Sequence, residues 1–233
     1  MHLVQLSIGH HQPADGLPAR TARYTASDVA EVDAVLASLE AGSEGLGAEL
    51  PRLVLDADLA GLNLVLHRLL RRGLLETLET AVLPREPVPY LSRLGLPTDL
   101  AGRLRVAAEA PARLVGVIKD DSGGVCLDSA SMTAWPSEQA GAGPAWWLRA
   151  VVDDQRLADG SARELRLRRL GPAELEATVR LGRLRHRTCR GRSLQLACDP
   201  ALIVADGVAR ERPRGKRTFW SEPKLWWLAL PPG

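Results

Sequence analysis

The stretch from Pro51 to Pro97 constrains the chain most, because it sets two short apolar runs on either side of a strongly periodic segment. Leu53–Leu55 form the first run, which ends at Asp56. From Leu59 to Leu70, apolar residues recur at three- and four-residue spacing (Leu59, Leu62, Leu66, Leu69 and Leu70). That spacing predicts a helix with one buried face. Thr80–Leu83 repeats the strand pattern and stops at Pro84, and a proline-rich loop leads into another helix. Alternating short strands and helices favour a parallel sheet. Parallel strands send their following loops out at one edge, the edge where open α/β sheets bind ligands.

The flanking sequence extends the pattern. Leu3–Ile8 reads as a first strand. Asp28 and Glu31 open a helix in capping-box fashion, with Val29, Val32, Leu36 and Leu39 on one face. Thr98–Ala110 suits a further helix, ended by Pro111. Residues 1–112 therefore read β-α-β-α-β-α-α, an open, mostly parallel α/β domain. Beyond residue 112 helical periodicity nearly vanishes. Ala112–Ile118, Gly124–Leu127, Trp146–Val152, Glu164–Leu170, Leu175–Leu181, Ser193–Ala197, Leu202–Val204 and Leu225–Leu230 are short apolar or alternating runs. Turn residues separate them at hairpin-like intervals, which predicts an antiparallel β-sandwich over residues 113–233.

Composition excludes several classes. A chain of 233 residues, 45% hydrophobic and 25% charged, has the balance of a soluble globular protein. No apolar run reaches the 18 residues of a membrane span, and the N-terminus has no signal-peptide pattern. The cysteines, Cys126, Cys189 and Cys198, are odd in number and lack CxxC spacing, so reduced cytoplasmic thiols are expected. Arginine outnumbers lysine 27 to 3, a bias typical of GC-rich bacterial genomes. Net charge is +2, yet residues 1–112 carry 10 basic against 14 acidic side chains and residues 113–233 carry 20 against 14.

Pro84-Arg-Glu-Pro-Val-Pro-Tyr-Leu-Ser-Arg-Leu-Gly-Leu-Pro97 resembles the PxGTxNDFAR-LGLP segment of the diacylglycerol kinase catalytic family and its lipid-kinase and NAD-kinase-like relatives. Pro84 matches the first position, and Leu91, Ser92, Arg93, Leu94, Gly95 and Pro97 match the helix and its exit. Ala57-Asp-Leu-Ala-Gly-Leu-Asn63 stands where that family has GGDGTLNE, with Leu62 and Asn63 matching. Val204-Ala-Asp206-Gly207-Val208 resembles the family's DGE signature, and Leu225–Pro231 its final strand. The resemblance implies ATP and Mg²⁺ as cofactors of an active member. It places Asp58, Gly61, Asn63 and Glu86 at the nucleotide and Asp206 as general base toward an acceptor hydroxyl.

The departures bear on that chemistry. A gap-free alignment sets Ala57, Asp58, Leu59, Ala60 and Gly61 on the family's GGDGT, whose glycines let backbone approach phosphate. Glu86-Pro-Val-Pro89 replaces the family's GTGN, which removes two N–H donors and brings a carboxylate to the phosphates. Like charges about 4 Å apart repel by roughly 4 kcal/mol near a surface, half of the roughly 8 kcal/mol of a micromolar site. The DGE glutamate is Val208.

Plainer readings stand beside each candidate. Asp56 and Asp58 suit Mg²⁺ with substrate phosphates, and Asp58 equally suits a helix cap. Asp206-Gly207 is also a common turn. His10 and His11 are adjacent, which makes a shared metal unfavourable. Arg163–Arg192 holds ten arginines against three glutamates, and Arg183, Arg185 and Arg187 would line one face of a strand. Such a face is either a solvated surface or a contact for anionic lipid; with few aromatics nearby, nucleic acid is disfavoured. Trp146-Trp147 and Trp226-Trp227 should each place one ring on either side of a strand, and exposed sheet edges or tryptophans would suit a homodimer. Two functions remain: a degenerate member of the lipid-kinase fold that binds a ligand, partner or inner membrane surface, and an active ATP-dependent lipid kinase.

Overall fold

The computed structural model describes residues 2–9, 13–44, 50–135, 145–210 and 214–232. The chain divides into two compact units, Met1–Val115 with Leu225–Gly233, and Gly116–Lys224. A division at residue 112 left Leu225–Gly233 with the second half; these residues instead belong to the first unit.

The first unit is a parallel sheet with helices. Its strands are β1 (Leu3–Ile8), β2 (Ala22–Ala26), β3 (Arg52–Ala57) and β4 (Thr80–Pro84), and its helices are α1 (Val29–Glu44), α2 (Leu59–Arg71), α3 (Pro89–Arg93) and α4 (Leu100–Glu109). The order β4-β3-β1-β2 is parallel throughout. Every residue of β3 and β4 is buried, as expected of parallel strands covered on both faces. The first-unit end of the last strand, β15 (Arg214–Ala229), runs parallel to β4, with Leu228 opposite Thr80. There the Thr80 hydroxyl donates to the Trp227 carbonyl at 2.9 Å and accepts from Trp226 Nε1 at 2.6 Å.

Helix α2 forms as its periodicity predicts, with Leu62, Leu66 and Leu69 fully buried. On α1, the Asp28 carboxylate accepts from Glu31 N and the Glu31 carboxylate reaches back to Ser27 N, a capping box. Val32, Leu36 and Leu39 are buried, whereas Val29 is exposed and Val35 takes its place in the core. Strand β2 has no apolar signal: only Ala26 of its five residues is buried, because it is the last strand of the order given above.

The second unit is largely antiparallel. It contains the far ends of β5 (Ala112–Asp120) and β15, together with β6 (Val125–Cys126), β7 (Ser129–Ala134), β8 (Trp146–Val152), β9 (Gln155–Ala162), β10 (Glu164–Arg169), β11 (Leu175–Arg180), β12 (His186–Gly191), β13 (Ser193–Ala205) and β14 (Val208–Ala209). Strand β13 organises it. Leu194–Cys198 pairs with β8, Ala201–Ala205 pairs with β7, and the register slips between Ala197 and Ala201. Pro200, with no N–H to give a ladder, sits in that slip. The sheet therefore forks, and Leu148, Val152, Leu165, Leu167, Val179 and Phe219 fill the core around the fork.

Gly61 lets α2 approach the sheet closely. A Cβ there would lie 3.0 Å from both Ala57 Cβ and Ile8 Cγ2. Gly61→Val is expected to lower the unfolding free energy by about 2 kcal/mol through overpacking, read from denaturant unfolding. An unchanged midpoint and slope would show that the helix can move away without cost.

Candidate functional site

The carboxyl ends of β1, β3 and β4 and the first turn of α2 form the edge that the sequence marks as a phosphate site. Asp56, near the end of β3, is 3% exposed. Its Oδ2 accepts from Ala14 N at 2.8 Å, Ser7 Oγ at 3.2 Å and Gln5 Nε2 at 3.4 Å. Its Oδ1 accepts from Arg85 Nε at 3.0 Å, an ion pair with the residue that follows β4. Four donors from three segments thus occupy the carboxylate that, on the metal reading, would face Mg²⁺.

Asp58 caps α2, its Oδ1 accepting from Gly61 N at 2.7 Å. Glu86, exposed in the loop after β4, directs Oε1 to Leu59 N at 3.1 Å. Two amides of the first turn, the groups that would receive a phosphate at a helix N-terminus, therefore bind the chain's own carboxylates. Asn63 is buried on α2 at 2% exposure. The structure thus brings Asp58, Gly61 and Glu86 together at one helix end and sets Asn63 into the packed face. The loop carrying Glu86 is latched by Arg103, whose guanidinium donates to the carbonyls of Pro84 and Thr98. The cavity lined by Pro84, Glu86, Pro87, Leu91 and Arg103 measures about 80 Å³, well short of the roughly 300 Å³ at which ligand pockets begin.

Asp206 lies in the second unit. With Gly207 it forms the two-residue turn of the β13–β14 hairpin, at φ of +48° and +80°, the left-handed pair that an Asp-Gly hairpin turn requires. The side chain is 3% exposed and accepts from the backbone N–H groups of Leu127, Asp128 and Ser129 at 2.6, 2.9 and 3.1 Å. A carboxylate held by three amides clamps the β6–β7 turn. Burial, with the Asp206 charge beside it, pushes the Cys126 thiol well above its ordinary value. Burial and Asp199 push Cys198 up to about 11. Both are buried free thiols; Cys189 is half-buried.

Two further carboxylates play the same part. Asp120 is buried, which raises its pKa, but hydrogen bonds from Ser122 and Gly124 outweigh that and hold it below its ordinary 3.8. Glu176 is likewise raised by burial and lowered further by Arg168 and Arg190, at 2.7 and 2.9 Å, to a net position below 4.5.

The basic stretch is arranged differently from its sequence reading. Strand β12 begins at His186, so Arg183 and Arg185 lie in the β11–β12 loop, and only Arg187 is on the strand. They do not line one strand face. The arginines that do share a face are Arg166, Arg168, Arg180 and Arg190, interleaved with Glu164 and Glu176. The tryptophan pair on β8 divides as expected, Trp146 3% and Trp147 43% exposed. Among the described residues no group of three metal-ligating side chains occurs; His10 and His11 lie outside them. No described helix is long and apolar enough to cross a membrane.

No protein-family model and no curated protein sequence matches the chain. Solved structures do. A candidate diacylglycerol kinase from Bacillus anthracis str. Sterne matches at TM-score 0.72 and 10% identity, over 99% of this chain and 98% of its own. A diacylglycerol kinase structure from the same strain matches at 0.70 and 11%, over 99% and 97%. An NAD kinase from Archaeoglobus fulgidus in complex with ATP matches at 0.59 and 8%, over 97% and 93%. The chain has the fold of the diacylglycerol kinases and NAD kinases, as the resemblance at Pro84–Pro97 led us to expect.

Two outcomes follow from the buried carboxylates. Asp206→Asn is expected to cost about 2–3 kcal/mol, the scale of charge-assisted bonds to a buried group, and calorimetric unfolding will show it. Because Asp120 and Glu176 have native pKa values below the unfolded 3.8 and 4.5, their contribution is full above those values. It is lost as pH falls through the lower native ones. Thermal midpoints should drop on acidification below about pH 4.5, less steeply in Asp120→Asn; identical slopes in both proteins would contradict this.

Proposed function

We propose that the chain is a diacylglycerol-kinase-fold protein that does not transfer phosphate and acts by binding another molecule. One observation carries the reading: the first turn of α2 is capped by Asp58 and Glu86, beside an Asp56 already spent on Arg85 and three other donors. A triphosphate there would meet three carboxylates, with Arg85 and Arg103 as the nearby cations. Each unscreened pair at about 4 Å costs roughly 4 kcal/mol. Asp58 and Glu86 already hold the first-turn amides and Asp56 is already paired, so these groups disfavour the phosphates of ATP. On this reading the first unit is a nucleotide-binding-like domain without its ligand, and the second is a β domain held by buried carboxylates. We place the protein in the cytoplasm.

The competing reading, an active ATP-dependent lipid kinase with Asp206 as base, draws its support from the fold shared with kinases, one of them solved with ATP. Calorimetry with ATP and Mg²⁺ separates the two. The binding role predicts no saturable heat at submillimolar nucleotide. A dissociation constant tighter than about 100 µM, weakened by Asp58→Asn, would overturn the binding role without nucleotide.

A further inference from the structure

We propose that the β11–β12 loop of the second unit is a membrane-docking site that seats an anionic phospholipid headgroup and inserts Leu184 among the acyl chains. Leu184 is 89% exposed, while each of the other exposed large apolar side chains, Tyr24, Val29, Leu100, Leu114 and Trp147, stays below half. Its immediate neighbours are Arg183 and Arg185, both exposed. Behind the loop lies a groove of about 440 Å³, lined by Arg166, Arg180, Arg183, Arg185 and His186 together with Leu184.

The charges in this groove are not equivalent. Arg166 and Arg180 share Glu164, at 2.6 and 3.5 Å, which spends part of their charge. Among the described residues, neither Arg183 nor Arg185 is in an ion pair. Two uncommitted guanidinium groups around one fully exposed leucine match a bilayer interface. Phosphates lie at the level of the cations, and hydrocarbon lies just beneath, within reach of the apolar tip. Charge complementarity selects an anionic leaflet over a neutral one. A nucleic acid would explain the arginines and leave the leucine unexplained, and no Phe, Tyr or Trp lines the groove for base stacking.

The site supplies a ligand class for the binding role proposed above and rests on that reading in this respect only. Nucleotide binding is measured separately, and a positive result there leaves docking untouched. The test is flotation of the full chain with phosphatidylcholine vesicles containing about one-third phosphatidylglycerol, beside pure phosphatidylcholine. The chain should partition onto the anionic vesicles and stay off the neutral ones. Arg183→Gln with Arg185→Gln should lower partitioning about 10- to 30-fold, and Leu184→Ser about 5- to 10-fold at unchanged charge. Unaltered thermal midpoints in all variants will show that they fold. A wild-type chain that stays off anionic vesicles overturns the proposal, as does a Leu184→Ser chain that binds as wild type. Displacement by inorganic phosphate also overturns it, marking a site for soluble anions.

Discussion

The buried carboxylate of Asp56 is the constraint on which the first unit depends. A charge at 3% exposure costs several kcal/mol of lost hydration unless it is paired and hydrogen-bonded. The chain meets that demand by drawing in Gln5 and Ser7 from β1, the Ala14 amide from the loop before β2, and Arg85 from the end of β4. Satisfying one carboxylate thus fixes three segments at the edge where a ligand would enter. Arg85 brings Glu86 with it, and Glu86 reaches the Leu59 amide. The residue that reaches the helix end thus directly follows the partner of Asp56.

The second unit uses the same device at its turns. Asp206 holds the β6–β7 turn, Asp120 holds Ser122 and Gly124, and Asp153, in the β8–β9 turn, holds Arg192 and Ser193 where β12 passes into β13. The Arg192 amide leads in lowering the Asp153 pKa, with burial opposing it. Each carboxylate replaces water on backbone N–H groups that a turn leaves unpaired. Asp206, which resembles the family's DGE aspartate, is thereby held within the architecture of the β half.

The first unit was legible because its signals are local. Leu62, Leu66 and Leu69 announce α2, and the unbroken apolar runs of β3 and β4 announce strands buried on both faces. Strand β2 was not legible, since four of its five residues keep some exposure. In the second unit, β7, β9 and β12 are mixed in polarity, and β12 is half to fully exposed along its length. The site was legible in composition but not in geometry. Glu86 and the glycine losses can be seen in the sequence. The partners of Asp56 cannot, because they stand 29 to 51 residues away along the chain. The alternation of Arg183, Arg185 and Arg187 misleads because β12 begins after two of them.

The first-turn amides of α2 are already bound by the chain's own carboxylates. Amide NMR of the ¹⁵N-labelled protein, titrated with ATP and Mg²⁺, tests it at the atoms concerned. The Leu59 and Gly61 resonances should stay in place throughout the titration. Saturable shifts at those two amides, with release of the Glu86 carboxylate, would contradict the account.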